Sequence, residues 1–157
     1  PSTNITRSVF EMYEIDDKKD FSNAIVGKKI DSTYLIKALF EHANNGDLPA
    51  ISVLETSGEH MARSIAGVIK ELNIKEPINV ILAGSVWAKA TNFAMLNKFK
   101  KVVCELSNKK CNFIVLKEPP VLGAILWALE LANGELPDKE LKAKVLENII
   151  NYQNSIN

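Results

Sequence analysis

Up to about residue 73 the apolar positions recur at helical spacing, whereas the apolar runs beyond it are short and continuous. Residues 4–14 set Val9, Phe10 and Tyr13 on one helical face, and Ile15 ends the segment before Asp16-Asp17. A short apolar piece from Phe21 to Val26 stops at Gly27, a helix C-terminal signal. Asp31 or Ser32 can cap the next helix, in which Leu35, Ile36, Leu39, Phe40 and Ala43 follow the 3.6-residue repeat. Asn44-Asn45-Gly46-Asp47 is a turn, and Asp47 can cap the helix after it. Residues 48–73 carry the longest pattern, with an apolar stripe of Ile51, Leu54, Met61, Ile65, Val68, Ile69 and Leu72. Gly58 and Gly67 interrupt it, each at a cost of up to about 1 kcal/mol relative to Ala. Both are expected to mark close approach to another backbone.

The texture then changes. Val80-Ile81-Leu82 is a continuous apolar run, the pattern of a strand covered on both faces. It ends in the small-residue turn Ala83-Gly84-Ser85, and a helix comes next over about 90–101, extending toward Leu106. Phe113-Ile114-Val115-Leu116 is the second strand. Pro119-Pro120 breaks the chain before an apolar helix from about Val121 to Ala132, closed by Asn133-Gly134. Pro137 starts a final amphipathic helix carrying Leu141, Val145, Leu146, Ile149 and Ile150. Strand, helix, strand, helix at this spacing predicts a parallel pair joined by a crossover. The expected fold is α/β and helix-rich. It is read as a single domain over 1–157, with a helical part over 1–75, a β-α-β-α part over 76–134 and a carboxyl-terminal helix over 137–154.

Composition narrows the function classes. Nineteen basic and nineteen acidic side chains cancel, so no net field draws the chain to nucleic acid or anionic lipid. No apolar run approaches the roughly 20 residues a bilayer requires. Without a signal-peptide pattern the expected setting is cytoplasmic. The chain starts at Pro1, without a methionine, which fits an excised or processed piece. Cys104 and Cys111 have no Cys-x-x-Cys partner and no histidine beside them, so free thiols are expected and no metal site. His42 and His60 have no paired ligand at i+4 and are expected to be surface or partly packed side chains.

The chemistry concentrates at two turns. Ala83-Gly84-Ser85-Val86 lies at the carboxyl end of the first strand, where ligands bind in open α/β sheets. A glycine there lets a ligand approach the backbone closely. Neither G-x-x-x-x-G-K-[ST] nor G-x-G-x-x-G occurs. Trp87 either stacks on a base or fills an apolar gap, and Lys89 either meets a phosphate or stands in solvent. In Pro119-Pro120-Val121-Leu122-Gly123-Ala124 the prolines set the entry to the helix, and the small residues are expected to admit a neighbouring backbone.

Taken together the two turns resemble a family. A Gly-Ser turn after an apolar strand, then Pro-Pro-Val-x-Gly-Ala opening an apolar helix, is similar to the carboxyl-terminal lobe of the N-acetylglucosamine kinases and benzoyl-CoA-reductase-activating ATPases. Upstream, Gly46-Asp47 and Ser57-Gly58 match that family's long-helix pattern, and the resemblance covers the chain up to about residue 132. It implies a ribonuclease-H-like lobe of an actin-like ATPase, in the sugar-kinase superfamily. It also implies that Ala83, Gly84, Ser85 and Val86 lie against the adenosine of ATP, with Gly123 in the nucleotide-side wall and Mg2+ accompanying the nucleotide in the intact protein.

The departures are as informative. The family's Asp-Gly-Gly-x-Ser/Thr phosphate hairpin is absent, since Asp31-Ser32-Thr33 lacks its glycines, and so is the second, glycine-rich phosphate loop. No aspartate in a matching motif remains as a base, so no catalytic residue is assigned. The resemblance therefore implies part of an ATP-dependent sugar kinase whose amino sugar is bound through a lobe outside this chain, and which is inactive as this chain alone. The alternative is a non-enzymatic assembly or subunit module. Its support is the absent chemistry, an amphipathic last helix that could pair two copies in a homodimer, and a two-strand sheet with unpaired edges. The reductase-activating branch fits less well, because Cys104 and Cys111 do not resemble its cluster ligands.

Overall fold

A computed structural model describes residues 3–27 and 31–155; Pro1, which carried the expectation of an excised piece, lies outside them. The described residues form eight helices and two strands. In chain order these are α1 (Asn4–Met12), α2 (Lys18–Val26), α3 (Ser32–Asn44), α4 (Leu48–Glu71), β1 (Ile78–Leu82), α5 (Ser85–Ala88), α6 (Ala94–Ser107), β2 (Cys111–Val115), α7 (Pro120–Asn133) and α8 (Lys139–Ser155). The fold is thus a helix-rich α/β arrangement with two parallel strands. Two compact units divide it. The first comprises the residues up to Val80 with Lys89–Phe113, and the second comprises Ile81–Ala88 with the residues from Ile114 onward. No helix among the described residues is long and apolar enough to cross a membrane.

Side-chain caps set several helix starts. Asp31 accepts the Thr33 amide at 2.7 Å and opens α3. Asp47, after Gly46 at φ 80°, accepts the Ala50 amide and opens α4. The helix expected from about residue 90 begins only at Ala94, because Asn92 Oδ1 accepts the Ala94 amide at 2.9 Å and fixes the start there. It ends where Asn108 turns left-handed, φ 53°, and donates its amide to the Cys104 carbonyl.

The first unit is organised by α4 packed on α6. The buried line of α4 is Ala50, Leu54, Gly58, Ala62, Ala66 and Ile69, a nearly strict i, i+4 ridge. The stripe expected from hydrophobicity was set one step around the helix. Of its members, Leu54 and Ile69 are buried, while Met61, Val68 and Leu72 are exposed. Small residues occupy the seam because the two backbones nearly touch there. A Cβ on Gly58 would collide with the Met95 carbonyl oxygen of α6 and lie 3.1 Å from its carbon. Gly58 therefore has the close approach expected of it. Gly67 does not: a Cβ there would meet no heavy atom within 4 Å. On the α6 side Met95, Phe99, Val102 and Val103 fill the space beside the seam.

Polar ties hold the same unit in register. Asn44 donates to Thr91 Oγ1 at 3.0 Å and accepts from Asn92 at 3.2 Å. Glu59 receives Arg63 one turn ahead, at 2.6 Å, and Lys98 of α6 at 3.3 Å. The Arg63 hydrogen bond, followed by Lys98, holds the Glu59 carboxyl below its ordinary 4.5. Phe99 meets Phe113 of β2 edge to face, with ring centroids 5.9 Å apart. The α3 stripe also differs from expectation: Ala38, Phe40 and Ala43 are buried, whereas Ile36 is exposed.

The strands depart from the double coverage expected of them. Ile78, Val80 and Leu82 are buried, but Ile81 is 58% exposed and Ile114 is 42% exposed. One sheet face is open, and on it Asn112 donates to the Asn79 side chain at 3.2 Å. In the second unit α7 packs on α8, burying Leu122 and Ile149. Asp138 caps α8 through the Leu141 amide at 2.8 Å.

The two helical glycines make an internally controlled comparison. Gly58→Ala will lose about 2–3 kcal/mol in urea unfolding, because steric overlap outweighs the helix-propensity gain. Gly67→Ala, in open space on the same helix, will gain up to about 1 kcal/mol. The Glu59 carboxyl is depressed, so its contribution is full above pH 4.5 and disappears as pH falls through the lower folded value. Glu59→Gln will flatten that acid limb in a pH series of thermal melts.

Candidate functional site

The two turns singled out in the sequence both lie in the second unit. β1 ends at Leu82, and the chain then reverses at Gly84, whose φ is +108°. The Gly84 carbonyl accepts the amides of Trp87 and Ala88, at 3.2 and 3.0 Å, and so starts the single-turn α5. Ala83, Gly84 and Ser85 are exposed, and Val86 and Trp87 are half-buried. A Cβ at Gly84 would meet no heavy atom within 4 Å. The glycine is therefore required by its backbone angle, and the space over it is open.

The second turn leaves the same end of the sheet. The Leu116 amide donates to the Leu82 carbonyl at 2.9 Å, which sets the carboxyl ends of the parallel strands side by side. Beyond it Pro119, at φ −58° and ψ 135°, is extended, and Pro120 takes the first position of α7, where its missing N–H costs nothing. Leu122 turns inward and is 4% exposed, while Gly123 and Ala124 face outward. The expectation that Gly123 admits a neighbouring backbone is not met: a Cβ there would meet nothing within 4 Å. Its surroundings, like those of Gly84, are open. The β1–α5 turn carries no charged side chain, whereas exposed Lys117 and Glu118 lie in the β2–α7 connection and exposed Lys89 follows α5.

The remaining candidates sort simply. Cys104 and Cys111 are free thiols. Burial, and after it the neighbouring Cys104 thiol, pushes the Cys111 pKa up, which keeps the nucleophilic thiolate scarce at neutral pH. Among the described residues no group of three or more His, Cys, Asp and Glu is placed to hold a metal ion. Asp31, at the nearest sequence counterpart of a phosphate hairpin, is a helix cap.

One cluster escaped the sequence. His42 Nε2 lies 2.9 Å from Ser8 Oγ, and its Nδ1 lies 3.5 Å from Asp47 Oδ2. Ser8 and His42 are 34 positions apart, and Asp47 was already accounted for as a cap, so no local spacing signalled the group.

The glycine turn and the proline-opened helix stand at the carboxyl ends of paired parallel strands, the position at which open α/β sheets bind ligands. The ROK family model matches residues 22–130, more than half of the chain and both turns, and the chain belongs to the ROK family. That family lies in the actin-like ATPase, sugar-kinase superfamily and includes sugar kinases, which generally use ATP and Mg2+ and bind a sugar. No curated protein and no solved structure matches the chain.

Gly84→Ala puts a Cβ on a backbone angle that L residues rarely adopt. It will cost about 1–3 kcal/mol in chemical denaturation without any new contact. Gly123→Ala, inside a regular helix and facing open space, will be neutral or stabilising by up to about 1 kcal/mol in the same measurement.

Proposed function

We propose that this chain is the nucleotide-side part of the carboxyl-terminal lobe of an ATP-dependent sugar kinase, of the N-acetylglucosamine-kinase type. The observation that carries the reading is the open Gly84 turn at φ +108°, at the carboxyl end of β1 and beside the end of β2. Membership of the ROK family supports it at the level of the superfamily.

On this reading Ala83, Gly84, Ser85 and Val86 lie along the adenosine, and the absence of a side chain at Gly84 lets the ribose and first phosphate approach the backbone. Ser85, exposed beside it, offers a hydroxyl that a second glycine would lack. Gly123 and Ala124 give the facing wall a low profile. The residues fit the adenosine end of the nucleotide, since the place a Cβ would fill is free at both glycines. They supply no carboxylate cluster for Mg2+, so the metal and the terminal phosphates belong to groups outside this chain. ATP supplies the phosphoryl group; these residues bind and orient it. The amino sugar and the base that deprotonates its hydroxyl belong to the other lobe, and the chain alone transfers no phosphate. A ribonuclease-H-like core and a cytoplasmic setting belong to the same reading.

Amide chemical shifts test this directly. Mg-ATP at millimolar concentration will move the resonances of residues 83–86 and 120–124 in the isolated chain, and Gly84→Val will abolish the movement. ADP release with N-acetylglucosamine present will stay at background. Shift changes absent from these two turns would remove the nucleotide assignment.

A further inference from the structure

Ser8 of α1, His42 of α3 and Asp47 ahead of α4 meet within the first unit. His42 has a neighbour at each ring nitrogen: Nε2 lies within hydrogen-bond reach of Ser8 Oγ at 2.9 Å, and Nδ1 lies 3.5 Å from Asp47 Oδ2, an ion-pair separation. A carboxylate facing Nδ1 favours the neutral tautomer with its proton on that nitrogen, the one in which Nε2 accepts from the serine hydroxyl. Asp47 is fixed in turn. Its side chain is 6% exposed, and its two oxygens accept the backbone amides of Ala50 and Ile5, both at 3.3 Å. Helix capping alone would need only the Ala50 contact. The group opens on a cavity of about 450 Å³, whose wall also includes Asn4, Arg7, Asn45 and Gly46.

We propose that Ser8 is an acyl-transfer nucleophile, with His42 as its base and Asp47 as the positioning residue for His42, and that the cavity takes a carboxylic ester bearing an anionic group. Order and roles come from geometry: nucleophile against base, base against a buried and immobilised carboxylate. Ser8 Oγ bonds to the ester carbonyl carbon while its proton passes to His42 Nε2. The bond to the alcohol oxygen then breaks, and the alcohol leaves with that proton. Water attacks the acyl-serine, giving a proton to Nε2. Ser8 recovers it as the acid departs, so one ester and one water yield one acid and one alcohol. Asn4 and Asn45 line the wall; an asparagine side-chain N–H is the group type that stabilises a carbonyl oxyanion, and Arg7, in the same wall, is the charge that would select an anionic acyl group. These residues lie in the unit that does not contain Gly84, so the proposal stands or falls independently of the nucleotide reading.

A fluorophosphonate probe on the intact chain tests it. Mass mapping is expected to find the label on Ser8 ahead of every other serine, and a heat-denatured sample to lose it. Ser8→Ala should abolish labelling, and His42→Gln should slow it by about 100-fold or more. Asp47→Asn caps a helix as well as aspartate does. It keeps one oxygen for the Ala50 amide and loses the acceptor of the Ile5 amide, so its midpoint should drop slightly, and labelling well below that midpoint should slow at least tenfold, a loss that a purely capping role would not produce. Hydrolysis of p-nitrophenyl hydrogen succinate should exceed that of p-nitrophenyl acetate, and Arg7→Gln should erase the preference. Label spread evenly over the serines, or Ser8 labelling unchanged in His42→Gln, overturns the proposal. So does an Asp47→Asn chain that reacts at the wild-type rate.

Discussion

Gly58 leaves no room for even a methyl group against the carbonyl of Met95, so the two longest helices of the first unit meet backbone to backbone. Alanines at 50, 62 and 66 continue that contact above and below, and the larger side chains Leu54, Phe99 and Val103 close its sides with almost no exposed surface. Such packing gains its energy from many short contacts and little from any single side chain. It also fixes α6 in place, and through the edge-to-face pair of Phe99 and Phe113 it fixes the start of β2. Asn44, Thr91 and Asn92 and the Glu59 ion pairs serve to hold register across contacts that are otherwise smooth.

Two chemical features occupy separate units. In the second, the feature is one of backbone: a glycine at positive φ and a proline-opened helix leave free space around them. In the first, it is one of side chains drawn from three helical segments around a carboxylate whose oxygens accept two backbone amides. The family match contains both turns of the second unit and also His42 and Asp47 of the first. Ser8, Asn4 and Arg7 lie ahead of that region.

Much of the architecture was legible because local chemistry decided it. The Asp47 cap and the Gly46 and Gly134 turns each depend on one or two residues and stand where the sequence placed them; Asp31 takes the cap that the sequence left between it and Ser32, and α7 starts at Pro120, one residue ahead of the expected Val121. The face that α4 buries was not legible. Hydrophobicity weighs Met61, Val68 and Leu72 above Ala62 and Ala66, but closeness of approach rewards the smaller side chains. The open face of the strands was hidden for a similar reason, because Ile81 and Ile114 look like core residues whether or not anything covers them. At the site, the glycine turns were visible as motifs, and their open surroundings were not. The Ser8, His42 and Asp47 group was invisible, since only the packing of α1 on α3 brings it together.

The left-handed turns at Gly46 and Gly134 bear on how the protein ages. Each comes directly after an asparagine, and Asn-Gly is the pair most prone to deamidation, in which the glycine nitrogen attacks the asparagine side-chain carbonyl. Here the Gly46 nitrogen donates to the Ala43 carbonyl at 3.1 Å, and the Gly134 nitrogen to the Glu130 carbonyl at 2.8 Å. A nitrogen committed to a hydrogen bond cannot also close the succinimide ring. The same bonds that end α3 and α7 thus shield two chemical clocks, and isoaspartate at Asn45 or Asn133 records how often each helix end has come undone.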